Sequence, residues 1–182
     1  RVVHTSTSEV YGTAQYVPID EKHPLQAQSP YSASKIGADA VAMSFYNAFE
    51  LPLTIARPFN TYGPRMRLDD GRVISNFIVQ ALRSEPITIY GTGTQTRSFC
   101  FIDDLIDAFI SLMGASDDII GPMNLGNPEE FTIKQLAEII IEMTGSSSEL
   151  VYSDIPEDDP LQRCPDIHLA NSTLNWSPTT KL

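Results

Sequence analysis

The sequence predicts an α/β fold with a largely parallel sheet. Two observations carry this. Short apolar, β-branched runs alternate with helix-periodic segments along all 182 residues. Polar clusters, "TSTSE" and "RPFN", stand at the carboxyl ends of two such runs, where open α/β sheets place their ligand sites. The length fits one ordinary domain.

The elements follow in order. "RVVHTST" (1–7) reads as a buried strand ending in hydroxyl residues. "VPIDEKHPLQAQSP" (17–30), with three prolines, is a loop. Tyr31 to Phe49 reads as a long helix, with Ile36, Ala40, Met43 and Phe49 as its apolar stripe. "LPLTIARP" (51–58) is a second strand, stopped by Pro58, and 60–72 is a polar loop. A helix is expected over 73–84, then two short strands around a Gly-Thr-Gly turn over 86–102. The helix over 103–115 opens with acidic residues, which suit a helix N-terminus. A strand runs into a turn over 121–129. The helix over 131–145 is capped by Thr132 and closed by Gly145. A strand over 149–154 leads into an acidic, proline-containing loop over 155–166.

Composition bounds the function. Apolar residues make up 42% and charged residues 19%, a globular balance with no apolar run near the length of a membrane span. A net charge of −11 argues against a nucleic-acid backbone as partner, which needs clustered Lys and Arg. An anionic small molecule stays open, because a few placed Arg residues suffice. Cys100 and Cys164 form neither a disulfide framework nor a zinc spacing, and fit a reducing, cytoplasmic compartment. No metal site is expected.

The reactive chemistry centres on Thr7, Glu9, Tyr31 and Lys35. Tyr31 and Lys35 are four residues apart at a helix start and share a face. An ammonium held near a phenol favours phenolate. A tyrosine so tuned takes a proton from an alcohol. Thr7 can hydrogen-bond and orient that alcohol, and Glu9 adds a carboxylate for a second proton. Y-x-x-x-K alone is common by chance, and "TSTSE" alone reads as a polar strand end.

Taken together and in this order, "STSEVYG" and "PYSASK" resemble the extended short-chain dehydrogenase/reductase family of nucleotide-sugar epimerases, dehydratases and decarboxylases. The resemblance continues through "RPFNTYGP", "GTGTQTRSFCFIDDL", "NLGNPEEFTIKQLAEII" and "QRCPDI". It implies the C-terminal part of a Rossmann-like NAD-binding domain with a small α/β substrate-binding domain. Residues 1–64 would carry the Rossmann portion and the catalytic residues. Residues 65–182 would mainly bind the sugar nucleotide, with segments returning to the sheet. In the family a Gly-rich turn upstream of these motifs holds the cofactor pyrophosphate. No G-x-x-G-x-x-G occurs here, and "GTGT" (91–94) lacks the third glycine, so an N-terminal part is expected to be missing.

Carried over by position, the resemblance implies NAD as cofactor and a catalytic set of Thr7, Tyr31 and Lys35 with Glu9. Thr7, Tyr31, Lys35 and Pro58 would also meet the cofactor, with Arg57 beside Pro58 at its nicotinamide end. Ser8, Glu9, Asn60, Tyr90, Arg97 and Arg163 would meet a UDP-sugar. Asn60 and Arg97 would take the diphosphate, and Tyr90 the base. A homodimer paired through helices is also implied. The Tyr31–Phe49 helix is a candidate, with Met43, Phe45, Tyr46 and Phe49 either in that interface or packed on the sheet.

Three outcomes share oxidation at sugar C4: epimerisation there, loss of water across C5 and C6, or loss of carbon dioxide where C5 carries a carboxylate. The second half resembles UDP-glucuronate decarboxylases, with Arg163 at the position of an Arg important to decarboxylation. The first half resembles UDP-N-acetylglucosamine 4,6-dehydratases; decarboxylases usually show Y-x-x-G-K-R where Tyr31–Lys35 stands. The second half supplies the sugar pocket, so the expected reaction is conversion of UDP-glucuronate to UDP-xylose. A 4,6-dehydratase or 4-epimerase is the alternative. A non-catalytic sugar-nucleotide-binding fragment is the alternative of another class.

Overall fold

The computed structural model describes residues 1–154 and 162–182. Ten strands and five helices alternate among them: β1 (Val2–Thr5), α1 (Pro30–Phe49), β2 (Leu53–Pro58), β3 (Thr61–Tyr62), α2 (Val73–Leu82), β4 (Ile87–Tyr90), β5 (Thr96–Ser98), β6 (Cys100–Phe101), α3 (Ile102–Met113), β7 (Gly121–Leu125), β8 (Glu130–Thr132), α4 (Ile133–Thr144), β9 (Leu150–Ser153), β10 (Gln162–Arg163) and α5 (His168–Leu174). A one-turn 3-10 helix, Ser8–Tyr11, follows β1.

The largest sheet is parallel and runs β1-β2-β7, with Val3 opposite Thr54 and Arg57 opposite Asn124. β2 is buried along nearly its whole length, as a central parallel strand covered on both faces must be, and it buries Thr54 and Arg57 among its apolar residues. A second small sheet runs β10-β5-β8, and two strand pairs, β3 with β6 and β4 with β9, complete the pairing. Where the sequence reads as two short strands over 86–102 there are three, β4, β5 and β6, and none of them pairs with another. β4 pairs with β9, and β5 with β8 and β10, so their partners lie far along the chain and local sequence carries no mark of them.

Two main apolar clusters set these sheets. One packs Ile74, Phe77 and Ala81 of α2 against Ile87 and Ile89 of β4 and Leu136 and Ile140 of α4. The other packs Leu105, Ala108 and Leu112 of α3 on Met123 and Leu125 of β7, closed by Ala170 and Trp176. In both, the helix residues recur at three- and four-residue spacing.

Helix termini follow the sequence closely. Thr132 and Gln135 form a reciprocal capping box, and Gly145 ends α4 in the left-handed conformation. Asp103 and Asp104 occupy the first turn of α3. One expectation is met only in part. Of the stripe of Ile36, Ala40, Met43 and Phe49, Ile36 packs against Val10, Tyr11, Ile19 and Phe59, while Ala40 and Phe49 are exposed. The fully buried residues of the helix are Ser32 and Asp39, and Phe49 is 73% exposed. α1 meets β2 through the polar contact of Asp39 with Arg57 as well, which an apolar periodicity cannot reveal. The loop expected over 155–166 lies largely outside the described residues. Among the described residues no helix is long and apolar enough to cross a membrane.

Candidate active site

The parallel pairing of β1 and β2 brings their carboxyl ends side by side. "TSTSE" and "PFN" therefore open into one cleft of about 890 Å³. Thr7, Ser8, Glu9, Tyr31, Lys35, Pro58, Asn60, Tyr90, Arg97 and Arg163 all line it.

The reactive end of the cleft is built by two local devices. The backbone N–H of Glu9 donates to Thr7 Oγ1 at 3.3 Å, so Thr7 caps the 3-10 helix. That bond uses the hydroxyl as an acceptor and leaves its own O–H as a donor. Opposite, Ser29 and Ser32 make a capping box, and Pro30 sits at the first helical position. This start places Tyr31 and Lys35 on the first turns of α1. Lys35 Nζ donates to the carbonyl oxygen of Thr5 at 3.1 Å and stands 5.9 Å from the centre of the Tyr31 ring. The ammonium is thus pinned between the strand end and the phenol. Tyr31 is 50% exposed, open to a ligand in the cleft, while Ser8 is buried and Glu9 exposed.

The other end is cationic. β5 and β10 run parallel with Arg97 directly opposite Arg163, which sets two guanidinium-bearing residues side by side on the cleft wall. Arg97 is only 8% exposed, and its Nη1 donates to the Thr96 carbonyl at 2.8 Å. Asn60 follows β2, and its Nδ2 donates to the Ser98 carbonyl at 3.3 Å, which links the two ends. Two cations and an amide suit a diphosphate-like anion. Tyr90 ends β4, and Gln95 Nε2 donates to its carbonyl at 2.6 Å.

Arg57 departs from the expectation that it adjoins the cofactor beside Pro58. It does not line the cleft. It is 4% exposed, and Nε and Nη2 donate to Asp39 Oδ2 at 3.3 and 3.0 Å. Its Nη1 donates to Tyr11 Oη at 3.1 Å, and the tyrosine in turn donates to Asn124 Oδ1 at 2.6 Å. Burial pushes the Tyr11 phenol up to about 12, and Arg57 offsets only part of that rise. On the far side of Asp39, His4 Nε2 stands 3.3 Å from Oδ1 in a geometry that makes no hydrogen bond. The sequence reading missed this cluster, although Asp39 lies four residues beyond Lys35, on the same helix face.

Neither cysteine offers a nucleophile. Burial pushes the Cys100 thiol up to about 12 and the Cys164 thiol up to about 11, so both stay protonated near neutral pH.

Known proteins resemble this chain in sequence and in fold. UDP-glucuronic acid decarboxylase 3 of Arabidopsis thaliana is 46% identical over the whole of this chain, and UDP-glucuronic acid decarboxylase 1 of Xenopus tropicalis is 39% identical. The chain spans 54% of the first and 44% of the second, about half the length of the curated relatives it matches. Among solved structures, UDP-glucuronic acid 4-epimerase of Bacillus cereus, in complex with UDP-glucuronic acid and NAD, superposes with a TM-score of 0.90 at 32% identity. That match covers 98% of this chain and 56% of the epimerase. DesIV, a dTDP-glucose 4,6-dehydratase from Streptomyces venezuelae with NAD and TYD bound, gives 0.87 at 27% identity, covering 99% of this chain and 55% of that one. The family model described as GDP-mannose 4,6 dehydratase matches residues 1–182. With a family-model match from end to end, the chain belongs to this family of extended short-chain dehydrogenases/reductases.

Proposed function

We propose that this chain is the catalytic and sugar-nucleotide-binding portion of an NAD-dependent UDP-glucuronate decarboxylase, forming UDP-xylose through a 4-keto sugar. The observation that carries this reading is the identity of 44–46% to six Arabidopsis decarboxylases across the entire chain, both halves included.

The residues present fit the nicotinamide end of the cofactor. Lys35 is held at the strand end with donor capacity to spare, and Pro58 adds a flat apolar wall. Thr7, Tyr31, Lys35 and Pro58 would hold NAD, which would supply the acceptance of a hydride from sugar C4 and its later return. The chain's own residues do the rest. Tyr31 takes the C4 hydroxyl proton, helped by the ammonium of Lys35. Thr7 donates to the same oxygen and fixes its orientation. A C4 ketone makes the C5 carboxylate a β-keto acid, which loses carbon dioxide readily. Ser8 and Glu9 lie against the sugar, and Glu9 manages the proton at C5. Asn60, Arg97 and Arg163 hold the anionic groups and Tyr90 the base. In this reading residues 1–64 carry the Rossmann portion, and residues 65–182 mainly the sugar-nucleotide portion. The exposed Phe45 and Phe49 of α1, whose ring centres lie 5.7 Å apart, would serve a homodimer contact.

Epimerisation is the second reading, favoured by the structural likeness to UDP-glucuronic acid 4-epimerase, which shares the sugar but keeps its carboxylate. The test uses UDP-glucuronate labelled at the carboxyl carbon, with NAD and the protein expressed from its complete reading frame. Labelled carbon dioxide is expected in the headspace. Conversion with the label retained would replace decarboxylation by epimerisation.

A further inference from the structure

We propose that Arg57 is a positioning residue that locks the two reactive segments of the cleft to one another. The proposal rests on the functional reading above, but its geometry stands apart from any choice of sugar. The reactive groups come from two pieces of chain. Tyr31 and Lys35 ride on α1; Thr7, Ser8 and Glu9 sit on the 3-10 turn that ends at Tyr11. The fully buried residues of α1 are Ser32 and Asp39, and among its apolar residues Ile36 packs against the cluster of Val10, Tyr11, Ile19 and Phe59. The Arg57 guanidinium spans the gap. One edge holds Asp39 on α1, one turn beyond Lys35, and the remaining nitrogen holds Tyr11. Its Cζ lies 5.0 Å from the centre of the Tyr11 ring, so the fork also packs against that ring.

The anchor is itself anchored. Tyr11 donates to Asn124 of β7, and Asn124 Nδ2 donates to the Ile19 carbonyl at 2.9 Å. Arg57 lies in β2, opposite Asn124. Sheet, turn and helix thus meet at one planar group that does not line the cleft. A lysine would keep the charge but could not bond both partners in this fork geometry. A displacement of about 1 Å between the two segments is enough to lower turnover strongly.

The test uses the protein from its complete reading frame and two mild variants. Tyr11→Phe removes one oxygen from a buried ring, and Arg57→Lys removes the fork; should the second fail to fold, the first carries the test. Each is expected to lower kcat with UDP-glucuronate by about tenfold or more, with KM changed by less than about twofold. Both act through one guanidinium, so the double variant is expected to fall no further than Arg57→Lys. A kcat within about twofold of wild type in both variants, losses that multiply, or losses that track the folded fraction overturn the proposal. Amide hydrogen exchange reads the same claim without turnover. Faster exchange over both 7–11 and 31–35 in each variant supports it, and unchanged exchange in both segments overturns it. A wild-type protein inactive on every UDP-sugar, with the exchange response intact, would overturn the functional reading and leave the positioning role standing.

Discussion

At the scale of single residues, the cleft makes two separable predictions. Tyr31→Phe keeps the ring beside Lys35 but removes the proton carrier. Turnover is expected to fall by about 10² or more, with sugar-nucleotide affinity preserved, as read by steady-state kinetics beside calorimetric binding. Arg97→Ala acts at the other end. It is expected to weaken sugar-nucleotide binding by about tenfold or more, and calorimetry showing unchanged affinity would remove Arg97 from the anion site. Thr7, Tyr31 and Lys35 could be named from sequence because their chemistry is local, a hydroxyl, a phenol and an ammonium at fixed spacing, whereas Arg97, which lies within β5, was named through the family resemblance. Sequence was not sufficient for Arg57. Its position at a strand end invites a ligand-facing reading, and only the fold shows that Asp39 and Tyr11 surround it. No spacing along the chain records a buried fork between partners 18 and 46 residues away.

At the scale of elements, the helices were legible where caps and periodicity agree. α4 starts at a Thr132–Gln135 capping box and stops at a left-handed Gly145. Thr132→Ala is expected to lower stability by about 1 kcal/mol, read as the urea midpoint at constant slope. The short strands were less legible. β3, β6, β8 and β10 are two or three residues long, and each is paired by a distant segment rather than by its own pattern. Their role is still functional, since β10 against β5 is what sets Arg163 beside Arg97. The 3-10 turn was missed for a related reason: it depends on the Thr7 side chain accepting a single backbone bond. It also depends on Gly12, whose positive φ ends the turn and where an added Cβ would meet the Gln26 carbonyl oxygen at 2.5 Å. Gly12→Ala is therefore expected to be destabilising by about 1–3 kcal/mol in the same urea experiment.

At the scale of the whole molecule, the chain's end is tied back to its middle. Trp176 Nε1 donates to the Asp104 carbonyl, while Thr179 Oγ1 and the Thr180 N–H donate to its carboxylate at 2.9 Å each. Burial opposes ionisation of Asp104, but these bonds outweigh it and hold the carboxyl below its ordinary 3.8. A carboxyl depressed in the folded state adds stability above its unfolded value and loses that stability as pH falls through the folded one. Asp104→Asn is therefore expected to destabilise the protein at pH 7. The gap from wild type should close as pH falls below about 4, in thermal melts across pH. The parallel α/β class was legible at this scale because alternation of strands and helices needs no distant information. Which reaction the cleft performs was not, because the two halves of the sequence resemble different branches.

The deciding measurement is therefore the mass of the products. The protein from its complete reading frame, supplied with NAD, is incubated in parallel with UDP-glucuronate and with UDP-N-acetylglucosamine. Loss of carbon dioxide from the first and no change in the second are expected. Loss of water from UDP-N-acetylglucosamine, with UDP-glucuronate left at its starting mass, would contradict the decarboxylase reading and assign the chemistry to the Thr7–Lys35 half of the chain.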